Sequence, residues 1–261
     1  MKRKKIIISI ILILGGIILI VYPKISNYFI QKNQNEIIKV YKEEILSKEE
    51  KEIEEKFEEA YLYNKSLIDN SKIEKQYKEI LNIDKNGVMA YIEIPKISLY
   101  LPIYHGTDKE TLKKGIGHLE NSSFPIGTKD SHSILTGHTG MKIAKLFTRL
   151  TELKKDDYFY IYVLNKKLKY KIYEIKTILP DETNELQIKE NKDLVTLITC
   201  TPYGINTHRL LVMGEREENI EYINEYESKD NEEEIQENFC CILLKKIVKY
   251  IKKVRRKRWI Y

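Results

Sequence analysis

The sequence LVTLITCTPYGINTHRLLVMG, residues 194–214, decides the fold class of this chain. It contains two runs of β-branched and aliphatic residues, Leu194–Cys200 and Arg209–Gly214, with Pro202 and Gly204 between them. Short apolar runs bounded by Pro and Gly predict β-strands joined by a loop. Similar runs precede this stretch at residues 88–95, 97–101, 131–136, 158–164 and 168–178, with a short predicted helix at 142–150. Many short strands with one helix predict a closed or nearly closed β-barrel, and a β-sandwich is the alternative.

The length and the charge of the chain narrow the class of protein. A chain of 261 residues with 42% hydrophobic residues can bury a sizeable core, which excludes wholesale disorder. The formal net charge is +6, but residues 2–5 carry four positive charges and residues 245–258 carry nine. The rest of the chain is therefore acidic, and we expect no nucleic-acid partner.

An apolar N-terminal segment predicts a membrane anchor. Residues 6–22 are apolar apart from Ser9 and the pair Gly15–Gly16, and a helix of this length is near the lower limit for crossing a bilayer. Residues 1–5 form a basic tail that the positive-inside rule places in the cytoplasm. Because residues 22–24 make a poor cleavage site, we expect an uncleaved single-pass signal anchor rather than a cleaved signal peptide. The rest of the chain is then extracytoplasmic.

Three further regions flank the predicted barrel, which spans residues 87–216. Residues 23–86 contain few Gly or Pro residues and repeat apolar residues at helical spacing, which predicts an amphipathic helical stalk. Residues 217–238 are rich in acidic side chains and predict a linker. Residues 239–261 combine a short apolar run, including the adjacent Cys240 and Cys241, with a basic tail. This tail is either an interfacial amphipathic helix or an unstructured basic segment.

Cys200 is the first candidate for chemistry. Three cysteines are too few for a disulfide scaffold or a thiolate zinc site, and Cys200 stands alone at the end of a predicted strand. A side chain at the junction of a strand and a loop is held rigidly and still reaches a substrate. By position alone, Cys200 is either a nucleophile or a buried inert thiol.

A nucleophilic cysteine needs a base or imidazolium partner, and a charged donor can stabilise the oxyanion that forms. Of the five histidines, His138 stands in the turn Gly137–Gly140 after a predicted strand. The two glycines of this turn let the backbone come close to the site. Arg209 begins the strand after the Cys200 loop, so pairing of the two strands would return it to the thiol, whereas a surface salt bridge is the alternative. Only one of the adjacent residues His208 and Arg209 can face the site.

Residues 196–210, TLITCTPYGINTHRL, closely resemble the active-site signature of the sortase family. The resemblance is strongest to class C, the pilus-assembling branch. Four further stretches resemble that class in the same order along the chain: residues 91–97 (YIEIPKI), 101–106 (LPIYHG), 115–119 (GIGHL) and 135–138 (LTGH). The similarity covers residues 87–216.

The resemblance implies an eight-stranded sortase barrel and a cysteine transpeptidase without cofactor or metal. It implies that Cys200 is the nucleophile, His138 the acid and base, and Arg209 the oxyanion or substrate-carbonyl stabiliser. In such enzymes the thiolate attacks the Thr–Gly bond of a Leu-Pro-x-Thr-Gly-like sorting signal on a surface protein or pilin. An amine then resolves the thioacyl enzyme: a pilin lysine in class C, or a peptidoglycan amine in the wall-anchoring classes. The resemblance implies a place on the cell membrane of a Gram-positive-type surface.

The sequence departs from the class C pattern in three places. No proline lies between Tyr61 and Asn86, so the lid with an Asp-Pro-aromatic motif is absent or altered, and residues 60–86 are a possible lid region. Thr139 stands where the family often has Arg, and the short C-terminal tail replaces a second membrane helix. Three functions therefore stay open: pilus polymerisation, anchoring of surface proteins to peptidoglycan, and a catalytically idle membrane-tethered module that binds sorting signals.

Overall fold

Eight β-strands form a closed barrel in the computed structural model, which describes residues 2–83, 86–140 and 146–223. The strands are β1 (Val88–Ile94), β2 (Leu99–His105), β3 (Ile116–His118), β4 (Ser131–Thr136), β5 (Tyr158–Val163), β6 (Lys166–Ile178), β7 (Asp193–Thr201) and β8 (His208–Tyr222). Their order around the barrel is β1-β2-β3-β4-β7-β8-β6-β5. The pairs β2–β3 and β4–β7 are parallel, and the other neighbours are antiparallel. The predicted barrel is confirmed, and the sandwich alternative is wrong.

The helices are α1 (Lys2–Leu46), α2 (Glu50–Asp69) and α3 (Lys109–Lys114). Short 3-10 turns lie at Tyr77–Glu79, Pro95–Ile97, Leu146–Glu152 and Asn184–Leu186. The chain divides into two units, Met1–Asn224 and Glu225–Tyr261, and all described residues belong to the first. The predicted basic tail with Cys240 and Cys241, nearly all of the acidic linker, and residues 142–145 of the predicted short helix lie outside the described residues.

Alternation of residue type places the core inside the barrel. In β5, Phe159, Ile161 and Val163 are buried, whereas the tyrosines between them are half-buried. Successive side chains of a strand point to opposite faces, so this pattern directs the aliphatic and phenyl groups inward and the phenol groups outward. Phe159 stacks on Tyr170 of β6, with ring centroids 5.3 Å apart, which fills the barrel interior.

The second strand differs from its predicted position. We expected a strand at residues 97–101 ending before Pro102, but β2 begins at Leu99 and continues through Pro102. Ser98 has a φ of +49°, which ends the preceding 3-10 turn and delays the strand. Pairing of β2 with β3 begins only at Ile103, so proline lies where β2 still has an open edge, as strand prolines usually do.

The last three turns of α1 pack on the barrel. Gln34, Ile38, Tyr41 and Ile45 are buried, and their spacing of four, three and four residues defines one helix face. The hydroxyl of Tyr41 donates to the Met89 carbonyl at 3.0 Å and accepts from the Leu164 amide at 2.9 Å. These bonds connect α1 to β1 and to the β5–β6 turn.

Among the residues whose side chains the structure describes, no helix combines the length and the apolar character that a membrane crossing requires.

Helix α2 packs on the connection between β3 and β4, and the segment after α2 packs on the ends of β2 and β3. The Asn64 side chain donates to the Phe124 carbonyl at 3.0 Å and accepts from the Phe124 amide at 2.7 Å. The Tyr77 hydroxyl bonds Nδ1 of His118 at 2.9 Å, and the Ile80 carbonyl contacts Nε2 of His105 at 2.7 Å. The chain that joins α2 to β1 is therefore attached to the barrel by buried polar contacts.

Candidate active site

The strand register places Cys200 and Arg209 directly opposite each other. Cys200 of β7 pairs with Arg209 of β8 in the antiparallel ladder, and both are half-buried. Residues directly opposite in such a ladder project to the same face of the sheet. The next pair is Thr201 and His208, which project to the other face. Arg209, and not His208, therefore shares a face with the thiol.

His138 lies beside the same end of β7. Strands β4 and β7 are parallel with Thr136 opposite Ile198, and the Gly137 amide still donates to the Ile198 carbonyl at 3.1 Å. Continuing this register by two residues brings His138 level with Cys200, on chain segments that are neighbours in the sheet. Three adjacent strands thus bring His138, Cys200 and Arg209 to one end of the barrel.

The turn that carries His138 is held by hydrogen bonds on both sides. The Phe147 amide donates to the His138 carbonyl at 3.1 Å, and the Gly140 amide donates to the Thr148 hydroxyl at 3.1 Å. The Thr199 hydroxyl donates to the Gly137 carbonyl at 2.7 Å. These bonds position the backbone on each side of the imidazole.

The loop between β7 and β8 is held over this turn. Nη1 of Arg209 donates to the carbonyls of Asn206 at 3.2 Å and His208 at 3.1 Å, which ties the guanidinium to its own loop. Gly140 has a φ of +80°, and a Cβ atom there would lie 3.0 Å from the ring of Tyr203. The exposed Tyr203 ring therefore lies against Gly140, so the two loops around the site contact each other.

A buried apolar cluster lies on the same face of the sheet as Cys200. Four buried residues form it and are called here the apolar floor: Ile134, Ile198, Leu211 and Met213. Tyr173, Ile178 and Leu186 pack against this floor from β6 and the β6–β7 connection. Nζ of Lys176 lies 2.6 Å from a carboxylate oxygen of Glu185, which ties that connection to β6.

Three of the other histidines are buried and contact backbone carbonyl groups. His118 is fully buried and its Nε2 lies 2.8 Å from the Ser123 carbonyl, and burial lowers the pKa of His118 to about 4. His105 and His132 are also buried, and burial lowers the pKa of each. His132 contacts the Thr196 hydroxyl at 2.7 Å and the Gln187 carbonyl at 2.9 Å. These three rings connect loops around the barrel through hydrogen bonds.

Two features of the site were not expected from the sequence. One is the apolar floor, whose members come from β4, β7 and β8 and become neighbours only when the strands pair. The other is Thr199, which the sequence indicates only as a strand residue. Its position next to Cys200 was visible, but its bond to Gly137 joins residues 62 positions apart and has no local sequence signal. Within the described ranges, no group of three or more His, Cys, Asp or Glu residues could hold a metal ion.

Comparison with known proteins identifies the family. The sortase-domain family model matches residues 92–217. The chain is 31% identical over 225 residues to Sortase A of Listeria monocytogenes, covering 85% of this chain and 96% of that protein. It is 28% identical over 212 residues to Sortase A of Bacillus anthracis, covering 80% of this chain and 92% of that protein. The chain therefore belongs to the sortase family and is a cysteine transpeptidase.

Similar solved structures narrow the class within the family. The crystal structure of sortase C1 from Streptococcus agalactiae has a TM-score of 0.67 and 42% identity, and the match covers 70% of this chain and 99% of that one. The X-ray structure of Clostridium perfringens sortase C with the C-terminal cell wall sorting motif has a TM-score of 0.65 and 46% identity, with coverage of 70% and 99%. The chain is accordingly a class C-like sortase.

Proposed function

We propose that this sortase cleaves a Leu-Pro-x-Thr-Gly-like sorting signal between Thr and Gly and transfers the acyl group to a lysine amine of a pilin. The observation that carries the proposal is the arrangement of three neighbouring strand ends. Cys200 and Arg209 are cross-strand partners, and His138 follows the strand that pairs with β7 on its other side. The Clostridium perfringens relative, solved with the C-terminal cell wall sorting motif, supports this substrate class, and the lysine acceptor is proposed from the resemblance to class C.

In the proposed first half-reaction, the Cys200 thiolate attacks the threonine carbonyl carbon and forms a C–S bond. The tetrahedral oxyanion accepts hydrogen bonds from the guanidinium of Arg209, which stays charged at any working pH. The imidazolium of His138 gives its proton to the glycine nitrogen as the C–N bond breaks. The products are a thioacyl enzyme and a free glycine amine.

In the second half-reaction, an incoming amine attacks the thioester carbonyl. His138 accepts the proton that the amine loses, the C–S bond breaks, and the Cys200 thiolate is restored. Tyr173, Ile178 and Leu186, which cover the apolar floor and are themselves only partly buried, support binding of the leucine and proline side chains of the signal. The site thus returns to its starting state without a cofactor.

The test uses the full chain in detergent micelles with a fluorescent sorting-signal peptide and a lysine-containing acceptor peptide. We expect an amide-linked product, together with a thioacyl adduct on Cys200 in mass spectrometry. Cys200→Ala abolishes both, whereas Thr201→Val, at the next residue of β7, keeps product formation within a few-fold of wild type. Equal product from Cys200→Ala would overturn the assignment of the nucleophile. Product with a peptidoglycan stem amine but not with a lysine peptide would favour wall anchoring, and peptide binding without an adduct would favour an idle binding module.

We also propose that residues 6–22 anchor the enzyme in the cell membrane with its N-terminus in the cytoplasm. The apolar sequence and the basic residues before it support this topology. Helix α1 continues from Lys2 to Leu46, and among its described side chains the first buried one is Gln34, which donates to the Lys114 carbonyl of α3 at 3.0 Å. Tyr22 is followed by twelve helical residues up to Gln34, or about 18 Å of helix, so the barrel would be held close to the outer membrane surface.

Membrane anchoring is tested by extraction of bacterial membranes with alkaline carbonate. We expect the full chain to stay in the pellet, because an apolar helix resists extraction. The double variant Ile13→Lys/Leu14→Lys moves to the supernatant, whereas Ile25→Lys, beyond the apolar segment, stays in the pellet. Extraction of the wild-type chain would contradict the anchor.

A further inference from the structure

Thr199 contacts the His138 turn from the residue next to Cys200. It lies on β7, is 2% exposed, and projects to the face opposite that of Cys200. Its hydroxyl donates to the carbonyl of Gly137, the residue before His138, at 2.7 Å. The same hydroxyl oxygen is hydrogen-bonded to the hydroxyl of Thr139, the residue after His138.

The direction of these two bonds follows from the number of protons. A threonine hydroxyl has a single proton to donate and can accept through its lone pairs. Because a carbonyl only accepts, the Thr199 proton is used on Gly137, and Thr139 must then donate to Thr199. The result is a directed relay from Thr139 through Thr199 to the Gly137 carbonyl. It brackets His138 from both sides in the sequence.

The relay acts where strand pairing stops. Backbone pairing between β4 and β7 ends with the bond from the Gly137 amide to the Ile198 carbonyl. Beyond that bond, the described contacts from β7 to this turn include the Thr199 hydroxyl and its relay. The His138 carbonyl is tied instead to Phe147, on a segment outside the sheet. The relay therefore adds side-chain links to that backbone bond between the turn that carries the imidazole and the strand that carries the thiol.

We propose that Thr199 and Thr139 are positioning residues that set the place of the His138 ring relative to the Cys200 sulfur. The proposal rests on the proposed function, in which His138 moves the proton in both half-reactions. Thr199 need not touch the substrate, because it projects away from the apolar floor and from Cys200. Removal of the Thr199 hydroxyl should therefore lower kcat and leave KM nearly unchanged. Misplacement of a catalytic group by about 1 Å costs on the order of 100-fold in rate.

The experiment compares Thr199→Val with Thr199→Ser in the full chain. Valine keeps the shape of threonine and removes the hydroxyl, so we expect kcat for peptide transfer to fall about 10-fold to 100-fold. Serine keeps the hydroxyl and should restore kcat to within a few-fold of wild type. Thr139→Val should have a smaller effect, because the Thr199 bond to Gly137 remains, and adding it to Thr199→Val should cost little more. Thr201→Val, on the other side of Cys200, is the matched control with unchanged kcat.

A second measurement tests the proposal without relying on enzyme activity. In the full chain labelled with nitrogen-15 histidine, the ring signals of His138, assigned with His138→Gln, should shift in Thr199→Val and return in Thr199→Ser. Unchanged ring signals in Thr199→Val, or equal kcat in Thr199→Val and wild type, would overturn the relay. A loss of kcat that serine does not restore, or a matching rise in KM, would also overturn it. Absence of Cys200-dependent transfer by the wild-type chain would instead contradict the proposed function.

Discussion

At the scale of single residues, the alternation of side chains along β8 places the adjacent residues His208 and Arg209 on opposite faces of the sheet. Arg209 is opposite Cys200, whereas His208 is opposite Thr201, and its Nδ1 lies 2.9 Å from the Thr207 hydroxyl. The two residues are adjacent in sequence and similarly exposed, so they form a natural pair of test and control.

We expect Arg209→Gln to reduce kcat/KM for peptide transfer by about 100-fold to 1,000-fold, as loss of an oxyanion donor does. Glutamine keeps hydrogen-bonding capacity but loses the charge and the reach of the guanidinium. His208→Gln should stay within a few-fold of wild type. Steady-state kinetics with the fluorescent peptide measures both. If the two variants lost activity equally, the loop would be the sensitive element and Arg209 would have no separate role.

At the scale of elements, α1 is held to the barrel by the buried Tyr41 as well as by apolar contact. The Tyr41 ring is fully buried. Its hydroxyl donates to the Met89 carbonyl and accepts from the Leu164 amide, which belong to two different parts of the barrel. The Lys42 ammonium lies 5.4 Å from the centroid of the Tyr91 ring and adds a weaker contact next to it. One hydroxyl group thus links α1 to two parts of the barrel, in addition to the apolar contacts of the helix.

We expect Tyr41→Phe to lower the free energy of unfolding by about 1 to 3 kcal/mol, because it leaves a buried amide and a buried carbonyl without this partner. The control is Tyr61→Phe in α2, whose side chain is 39% exposed and which should change stability by less than about 0.5 kcal/mol. Urea unfolding followed by circular dichroism measures both. Equal stability of Tyr41→Phe and wild type would show that the apolar face of α1 is sufficient.

At the scale of the whole molecule, buried titratable groups make the stability of the barrel depend on pH. Burial lowers the pKa of His118 to about 4, from an ordinary value of 6.5. The unfolded chain therefore binds a proton at this residue at a higher pH than the folded chain does. The contribution of His118 to the free energy of unfolding is therefore complete above pH 6.5. It decreases by roughly 3 kcal/mol as the pH falls toward 4. His105 and His132 act in the same direction, because burial lowers the pKa of each.

Asp193 acts in the opposite direction. Its carboxylate accepts from Tyr170 at 3.1 Å and lies 3.4 Å from Nη1 of Arg216, yet burial raises the pKa of Asp193 to about 6 from an ordinary 3.8. The folded chain holds this proton more tightly than the unfolded chain, so its stabilising contribution is complete below pH 3.8 and is lost as the pH rises through 6. Asp193 thus offsets part of the acid sensitivity that the histidines cause.

We therefore expect the free energy of unfolding of the wild-type chain to fall between pH 6.5 and 4. His118→Gln should show a flatter pH dependence, because one group that takes up a proton on unfolding is gone. Asp193→Asn should show a steeper one, because the offsetting group is gone. Urea unfolding at half-unit pH steps measures the slopes, which are independent of the stability that each variant loses at every pH. Identical slopes in the three proteins would contradict the assignment of these groups.

The strands and the site were predictable to different degrees. Composition and the positions of Pro and Gly predict both ends of β4, β5, β6 and β7, and the start of β8, to within two residues, because β-branched and aromatic residues favour a pleated surface. The full length of β8 and the three-residue strand β3 were not predicted. β3 is too short to show a period, and it exists because it pairs with β2 and β4.

The sequence by itself determined the chemical groups: a lone cysteine at a strand end, a histidine between glycines, and an arginine after the loop. These features depend on residue type and local backbone conformation, and a few adjacent positions in the sequence are enough to specify each of them. Only the tertiary structure decided which groups are neighbours. The parallel pairing of β4 with β7 brings His138 toward Cys200, and it also creates the apolar floor and the Thr139–Thr199 relay. These contacts join residues about 60 positions apart, and such contacts form only when distant strands bury their faces together.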